Sequence, residues 1–278
     1  MDTAPDAPET GAADWRSLDR AALSRAYDNS GAVPGSAETV AAWRAQSAAF
    51  REARLDAERA YGPGPRQRLD LYRCGAPSAP LLAFIHGGYW QRNAKEGFSC
   101  MAAGPLALGL DVAMIGYTLA PEASLSEIAA EIRAALRLLR SESRGRRLVV
   151  SGWSAGGHLA ALAADAADAG LAISGIFELA PIARTGLDDA LRLSAEEIAA
   201  LSPIRHLAPG GPPVSVVYGA EELPELRRQS TAYHAARVAA GLAGPLLAVP
   251  GAQHFSVLDG LMRPDGGIAR EAARLAAL

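Results

Sequence analysis

Cysteine is scarce, basic clusters are missing and no apolar run is long, and each lack removes a class of function. The two cysteines, Cys74 and Cys100, sit in no metal-ligand spacing and form no small-domain disulfide framework, so they read as packed free thiols in a reducing compartment. No dense Lys/Arg run is interleaved with aromatics, and a formal net charge of -3 offers polyanions no long-range attraction, which argues against a nucleic-acid partner. No apolar run approaches the ~18 residues that a membrane helix needs. The start, Met1-Asp2-Thr3-Ala4-Pro5-Asp6-Ala7-Pro8, is acidic and Pro/Ala-rich, without the basic and apolar regions of a secretory signal. A soluble, cytoplasmic protein with a disordered stretch over residues 1–13 is expected.

What is present is enough apolar material for one large core: 278 residues, 50% hydrophobic and 21% charged, expected as a single domain over 14–278. Residues 14–61 read as a helical preamble, with Trp15, Leu18, Ala22 and then Val40, Trp43, Ala48, Phe50 at three- and four-residue steps, broken at Asn29-Ser30-Gly31 and Pro34-Gly35. These amphipathic helices could pack on their own domain or on a second subunit of a homodimer. Residues 67–72 alternate polar and apolar as a half-buried strand does. Beyond them, apolar strand candidates at 81–85, 112–115, 148–151, 173–179, 214–218 and 246–249 alternate with helical segments at 101–108, 128–139, 154–167 and 226–240 and a short terminal helix. Such alternation predicts an α/β fold, a mostly parallel central sheet with helices on both faces. The 181–213 stretch is longer and less regular and could hold a small cap-like excursion beside the substrate.

After the 148–151 strand comes Gly152-Trp153-Ser154-Ala155-Gly156-Gly157-His158-Leu159-Ala160, a G-x-S-x-G element between strand and helix. That context makes it a nucleophile elbow: the serine sits in a tight turn, and side chains two positions away on either side would collide with strand and helix. Ser154 is the expected nucleophile. Ala155 would supply one oxyanion-stabilising amide, and the helix behind it a partial positive field.

His86-Gly87-Gly88-Tyr89-Trp90 leaves the 81–85 strand at the position in the chain where a second oxyanion element is needed. Its glycines let the main chain approach a substrate, so the amides of Gly88 and Tyr89 are the expected partners of Ala155; each such donor is worth about 3 kcal/mol of transition-state stabilisation. His86 is read as a brace for this loop, and Tyr89 and Trp90 either as pocket-lining aromatics or as packing.

A serine nucleophile needs a base and an acid, which follow it in the chain. Of five histidines, His254 in Gly251-Ala252-Gln253-His254-Phe255 follows the last strand; His158 reads as a packed helix residue, and His206 and His234 as surface residues. After the 214–218 strand come Glu221, Glu222 and Glu225 with no aspartate, so a glutamate must orient the imidazole. Position favours Glu222. These parts describe acyl transfer through an acyl-serine intermediate, requiring neither metal nor cofactor.

Taken together, the 86–91 stretch, the elbow through Ala160, Pro224-Glu225-Leu226-Arg227-Arg228-Gln229-Ser230, the His254 loop, and Tyr27-Asp28-Asn29 through Val33-Pro34 with Trp43 and Phe50 resemble the serine kynurenine formamidases (arylformamidases) of the alpha/beta-hydrolase fold. The resemblance runs from about residue 27 to the C-terminus. It implies cleavage of N-formyl-L-kynurenine to kynurenine and formate in tryptophan breakdown, with Ser154 as nucleophile, His254 as base, Glu222 as acid and Gly88, Tyr89 and Ala155 as oxyanion donors. Glu222 stands where the animal enzymes usually carry aspartate, and Trp153, where histidine is common, would shape the pocket. A general carboxylesterase or other small-amide hydrolase is the alternative, since this fold hosts many substrates on the same parts.

Overall fold

The computed structural model describes residues 13–143 and 145–278; of the start expected to be disordered, all but Ala13 lies outside the described residues. Strands β1 (Ala57–Ala60), β2 (Arg68–Tyr72), β3 (Leu81–Ile85), β4 (Asp111–Ile115), β5 (Leu148–Trp153), β6 (Ala169–Ile173), β7 (Val214–Gly219) and β8 (Leu246–Val249) form one sheet in the order β1-β2-β4-β3-β5-β6-β7-β8. The β1/β2 and β2/β4 pairs are antiparallel, and every pairing from β4 through β8 is parallel. The helices are α1 (Arg20–Ala26), α2 (Asn29–Ala32), α3 (Ser36–Arg54), α4 (Ala103–Ala107), α5 (Leu125–Glu142), α6 (Ala155–Leu162), α7 (Asp188–Leu191), α8 (Ala195–Leu201), α9 (Pro224–Ala239) and α10 (Gly267–Ala276).

The central strands are apolar throughout because both of their faces are covered. Leu81, Ala83 and Ile85 of β3 pack with Ile128, Ile132 and Leu136 of α5 and Leu159 of α6. Leu82 and Phe84 point the other way, into a core with Trp43 of α3, Leu106 of α4, and Ile268 and Leu275 of α10. The expected mostly parallel sheet with helices on both faces is therefore present. Among the described residues no helix is long and apolar enough to cross a membrane.

Several elements differ from the sequence reading. Asn29-Ser30-Gly31 is itself the short helix α2, capped by Asp28, whose Oδ1 accepts from the Gly31 amide at 2.9 Å. Residues 57–60, expected to end the helical preamble, form the edge strand β1 because β2 offers them a ladder that outweighs the helix propensity of Ala-Glu-Arg-Ala. Strand β2 is buried from Leu69 to Tyr72, so its alternation does not mark a half-exposed surface. Residues 169–173, poor in β-formers, make β6 because they lie between β5 and β7, and the segment expected as a strand at 173–179 leaves the sheet at Ser174, where φ is +51. The 181–213 stretch holds α7 and α8, with Ile182 and Leu191 buried in the core.

Asp70 of β2 explains that strand's burial. Its carboxylate accepts from Arg51 Nε at 2.7 Å and Lys95 Nζ at 2.8 Å, and Lys95 also reaches Glu58 of β1 at 3.0 Å and Glu96 at 2.7 Å. Burial alone would raise the Asp70 carboxyl, but the hydrogen bonds and charges of Arg51 and Lys95 outweigh it and hold it below the usual carboxylate range. The cluster ties α3, β1 and β2 to the segment that follows the 86–93 loop. Two histidines are buried without such partners: His86 stacks on Tyr117 at 4.4 Å, and His158 lies edge-on to Trp90 at 5.0 Å with its Nε2 2.7 Å from the Leu201 carbonyl. Burial pushes each imidazole down to about 4.

Two outcomes follow for stability. Asp70→Ala removes the one fully buried carboxylate of the cluster, leaving Arg51 and Lys95 only the half-exposed Glu58 and Glu96, and should lower the unfolding free energy by about 3 kcal/mol, whereas Asp165→Ala, breaking the exposed Arg133 pair, should cost under about 1 kcal/mol in the same denaturant titration. For the histidines, the folded value lies below the unfolded one, so the unfolded chain takes up protons first as pH falls. Their stability is fully present above about pH 6.5 and is lost towards pH 4, at roughly 1.4 kcal/mol per pH unit for each group. His158→Gln should make the loss between pH 7 and 5 visibly shallower than in wild type; identical pH dependence would show that His158 does not contribute.

Candidate active site

The carboxyl ends of β3, β5, β7 and β8 carry the side chains singled out from the sequence. Registry places Ile85 beside Gly152, so β3 and β5 leave the sheet together. Ser154 follows β5 at φ +58 and ψ -119, a conformation rare for a side-chain-bearing residue and the mark of a forced turn, and α6 begins at the next residue. Gly156 permits it: a Cβ there would lie 2.0 Å from the Ile85 carbonyl oxygen. Gly87 permits the neighbouring loop its approach in the same way, since a Cβ would meet the Trp153 carbonyl at 2.7 Å and Ser154 Cβ at 3.0 Å.

The loop after β3 is held by its carbonyls. Tyr117 Oη donates to His86 O at 3.1 Å, Asn93 Nδ2 to Gly87 O at 3.2 Å, the Gln91 and Arg92 amides to Gly88 O at 3.0 Å, and the Ala120 amide to Trp90 O at 2.8 Å. His86 Nδ1 also lies 2.9 Å from Gly87 O, so the neutral imidazole donates there and braces the loop. Gly88, Tyr89 and Trp90 all take positive φ, at +123, +52 and +59. Among the described residues the main-chain N–H groups of Gly88, Tyr89 and Ala155 have no hydrogen-bond acceptor. Buried N–H groups are nearly always paired in folded proteins, so free amides beside a strained serine are available to an incoming oxygen.

Across the site, the three glutamates separate. Glu221 is exposed, and Glu225 is buried with its Oε1 accepting from Tyr27 Oη at 2.7 Å and its Oε2 from Arg228 Nε at 2.8 Å. Glu222 is buried; its Oε1 accepts from Ser174 Oγ and from the Gly219 amide at 2.9 Å. Its Oε2 has no hydrogen-bond partner among the described residues and faces His254 Nδ1, equally unpartnered, at 3.7 Å. The His254 ring lies 4.9 Å from Trp153, whose indole Nε1 donates to the His254 carbonyl at 2.8 Å, which brings the histidine beside the residue preceding Ser154.

The aromatic candidates sort by burial. Trp90 is 0% and Trp153 3% exposed; the first packs on His158, the second fixes the His254 loop and meets Trp43 edge-on at 5.7 Å. Tyr89 alone of the three is half-buried; its hydroxyl donates to the Tyr27 carbonyl and accepts from Asn29 Nδ2 at 2.9 Å. A cavity of about 230 Å3 opens between Asn29, Ala32 and Val33 on one wall and residues 221–224 with His254 on the other. Nothing from 181–213 lines it. Among the described residues no group of three or more His, Cys, Asp or Glu is arranged to hold a metal ion.

Residues that the sequence reading passed over do much of the positioning. Ser174 orients Glu222. Asn93, held in turn by Arg44 Nη2 at 3.2 Å, anchors Gly87. Gln229 Nε2 donates to Tyr27 Oη at 2.7 Å while its Oε1 accepts from the Phe177 and Glu178 amides, clamping the N-terminal helices to α9. Tyr27, Asn29 and Gln229 all stood within conspicuous motifs, but pairs separated by up to 202 residues have no local signature.

Comparison with known proteins agrees with this geometry. Residues 69–173 match a protein family described as BD-FAE. A protein of Salmo salar named kynurenine formamidase is 31% identical over 225 residues, covering 74% of this chain and 76% of that one. Among solved structures, one named as a candidate thioesterase from Silicibacter sp. TM1040 is 29% identical, with a TM-score of 0.79 over 89% of this chain and 97% of its own. An esterase of Pyrobaculum calidifontis shares the fold at 19% identity, with a TM-score of 0.67 over 84% of this chain and 89% of its own. With a mostly parallel sheet, a strained serine elbow and these relatives, the chain is a hydrolase of the α/β-hydrolase fold and belongs to the kynurenine formamidase family.

Proposed function

We propose that the protein cleaves the formamide of N-formyl-L-kynurenine, releasing kynurenine and formate, with Ser154, His254 and Glu222 as its catalytic residues. The observation that carries the mechanism is the pair of orphaned buried atoms: among the described residues His254 Nδ1 and Glu222 Oε2 have no hydrogen-bond partner, and they lie 3.7 Å apart. An approach of about 0.5–1 Å turns that contact into the hydrogen bond that fixes the imidazole tautomer, leaving Nε2 as the base.

Ser154 Oγ attacks the formyl carbon and passes its proton to His254 Nε2; the carbonyl oxygen becomes an anion held by the free amides of Gly88, Tyr89 and Ala155. The imidazolium then protonates the departing arylamine nitrogen as the C–N bond breaks. Water attacks the formyl-serine, His254 takes its proton, and the ester bond breaks to give formate and return the proton to Ser154. A formyl group is the smallest acyl group, and an arylamine leaves more readily than an alkylamine, so machinery suited to esters reaches this amide. The substrate rests on the family's named members. A carboxylesterase is the competing reading, favoured by the Pyrobaculum esterase likeness.

Purified wild type is expected to prefer N-formyl-L-kynurenine over p-nitrophenyl acetate in kcat/KM by orders of magnitude, with Ser154→Ala losing about 1,000-fold or more on both. Turnover of the ester alone would keep the machinery and reject the substrate. Glu222→Gln should cost about 100-fold or more, and Glu221→Gln under about fivefold; the reverse ranking would move the acid. Ser174→Ala removes one of the two donors to Glu222 Oε1, leaving the Gly219 amide, and should lower kcat roughly tenfold on both substrates while KM holds, a split that loss of folded protein does not produce.

A further inference from the structure

Asn29 lines the cavity next to the candidate base, and its hydrogen bonding is unequal. It is 3% exposed, yet it lines the same cavity as Glu222 and His254. The Tyr89 hydroxyl commits its only proton to the Tyr27 carbonyl, so towards Asn29 it can act only as an acceptor. That fixes the orientation of the carboxamide: Nδ2 donates to Tyr89, and Oδ1 is turned away from it. Among the described residues Oδ1 has no partner. A buried amide oxygen left without a donor costs free energy, and one at a cavity wall beside the base is an acceptor awaiting a ligand N–H or O–H.

The chemistry of amide cleavage supplies such a donor. In the tetrahedral intermediate the nitrogen must present its lone pair to the imidazolium, which turns its own N–H to the opposite side. In a site closed to water that N–H needs an acceptor, or its lost hydrogen bond adds to the barrier. An ester oxygen carries no hydrogen and makes no such demand. We infer that Asn29 Oδ1 accepts the scissile N–H of a secondary formamide as the C–N bond breaks, making Asn29 the residue that fits this site to amides as well as esters. The step moves no extra proton: His254 gives one to nitrogen, the original N–H stays on it, and both leave on the amine. The inference rests on the formamide reading above.

Formanilide, N-methylformanilide and p-nitrophenyl acetate separate the possibilities: the first has the scissile N–H, the second lacks it, and the third is an ester. Asn29→Ala should reduce kcat/KM for formanilide at least about tenfold more than for the ester, and wild type should favour formanilide over its N-methyl form by a margin that the variant loses. Tyr89→Phe, which releases the same hydrogen bond from the other side but keeps Oδ1, should lower amide and ester rates by similar factors. Equal losses on all substrates in Asn29→Ala would overturn the assignment and leave Asn29 as a brace for Tyr89. Wild type that cleaves the ester and none of the formamides, N-formyl-L-kynurenine included, would overturn the formamide reading itself and this inference with it.

Discussion

The contact on which the site depends is the approach of Gly156 to the end of β3. A methyl group at that position would stand 2.0 Å from the Ile85 carbonyl, so only a glycine lets α6 start where it does. With α6 there, β5 must turn within one residue, and Ser154 is driven to φ +58. The same closeness sets Gly87 against Ser154, which is why a loop of unpaired amides and a strained serine share one small volume. Strain and unsatisfied donors are both unfavourable for folding, and the dense apolar packing of the central strands offsets them.

The N-terminal helices are part of this construction. Arg44 of α3 holds Asn93, and Asn93 holds Gly87. Tyr27 takes the Tyr89 hydroxyl on its carbonyl and gives its own to Glu225, which α9 presents together with Gln229. Each connection ends on the loop after β3 or on the wall facing His254. The preamble therefore does what an inserted cap does in other enzymes: it closes one side of the cavity and fixes the loop that would stabilise an oxyanion. The ion cluster of Asp70, Arg51 and Lys95 anchors the other end of α3 to the sheet.

Charge is distributed with the same economy. His86 and His158, buried and pushed down to about 4, stay neutral and serve as braces. His254 is the histidine whose ring nitrogen faces a carboxylate with a free oxygen. Location relative to Glu222, more than residue type, sets the candidate base apart from the two braces.

The residue pattern alone dictates the layered α/β architecture, because runs such as Leu81-Leu82-Ala83-Phe84-Ile85 can be apolar on both faces only under two layers of helices. It also determined the elbow, since glycines flanking a serine between strand and helix state a steric need locally. Where propensity was weak, partners decided: Ala57–Ala60 became a strand because β2 lay beside it, and β6 formed four residues earlier than its apolar run because β5 and β7 flank that stretch. Tertiary structure alone separated Glu222 from Glu221 and Glu225, buried Trp90 and Trp153 behind the site, and set Asn29 and Ser174 beside their partners. A backbone turn is dictated by its own residues, whereas a side chain's vacancy depends on which distant groups have already filled its hydrogen bonds.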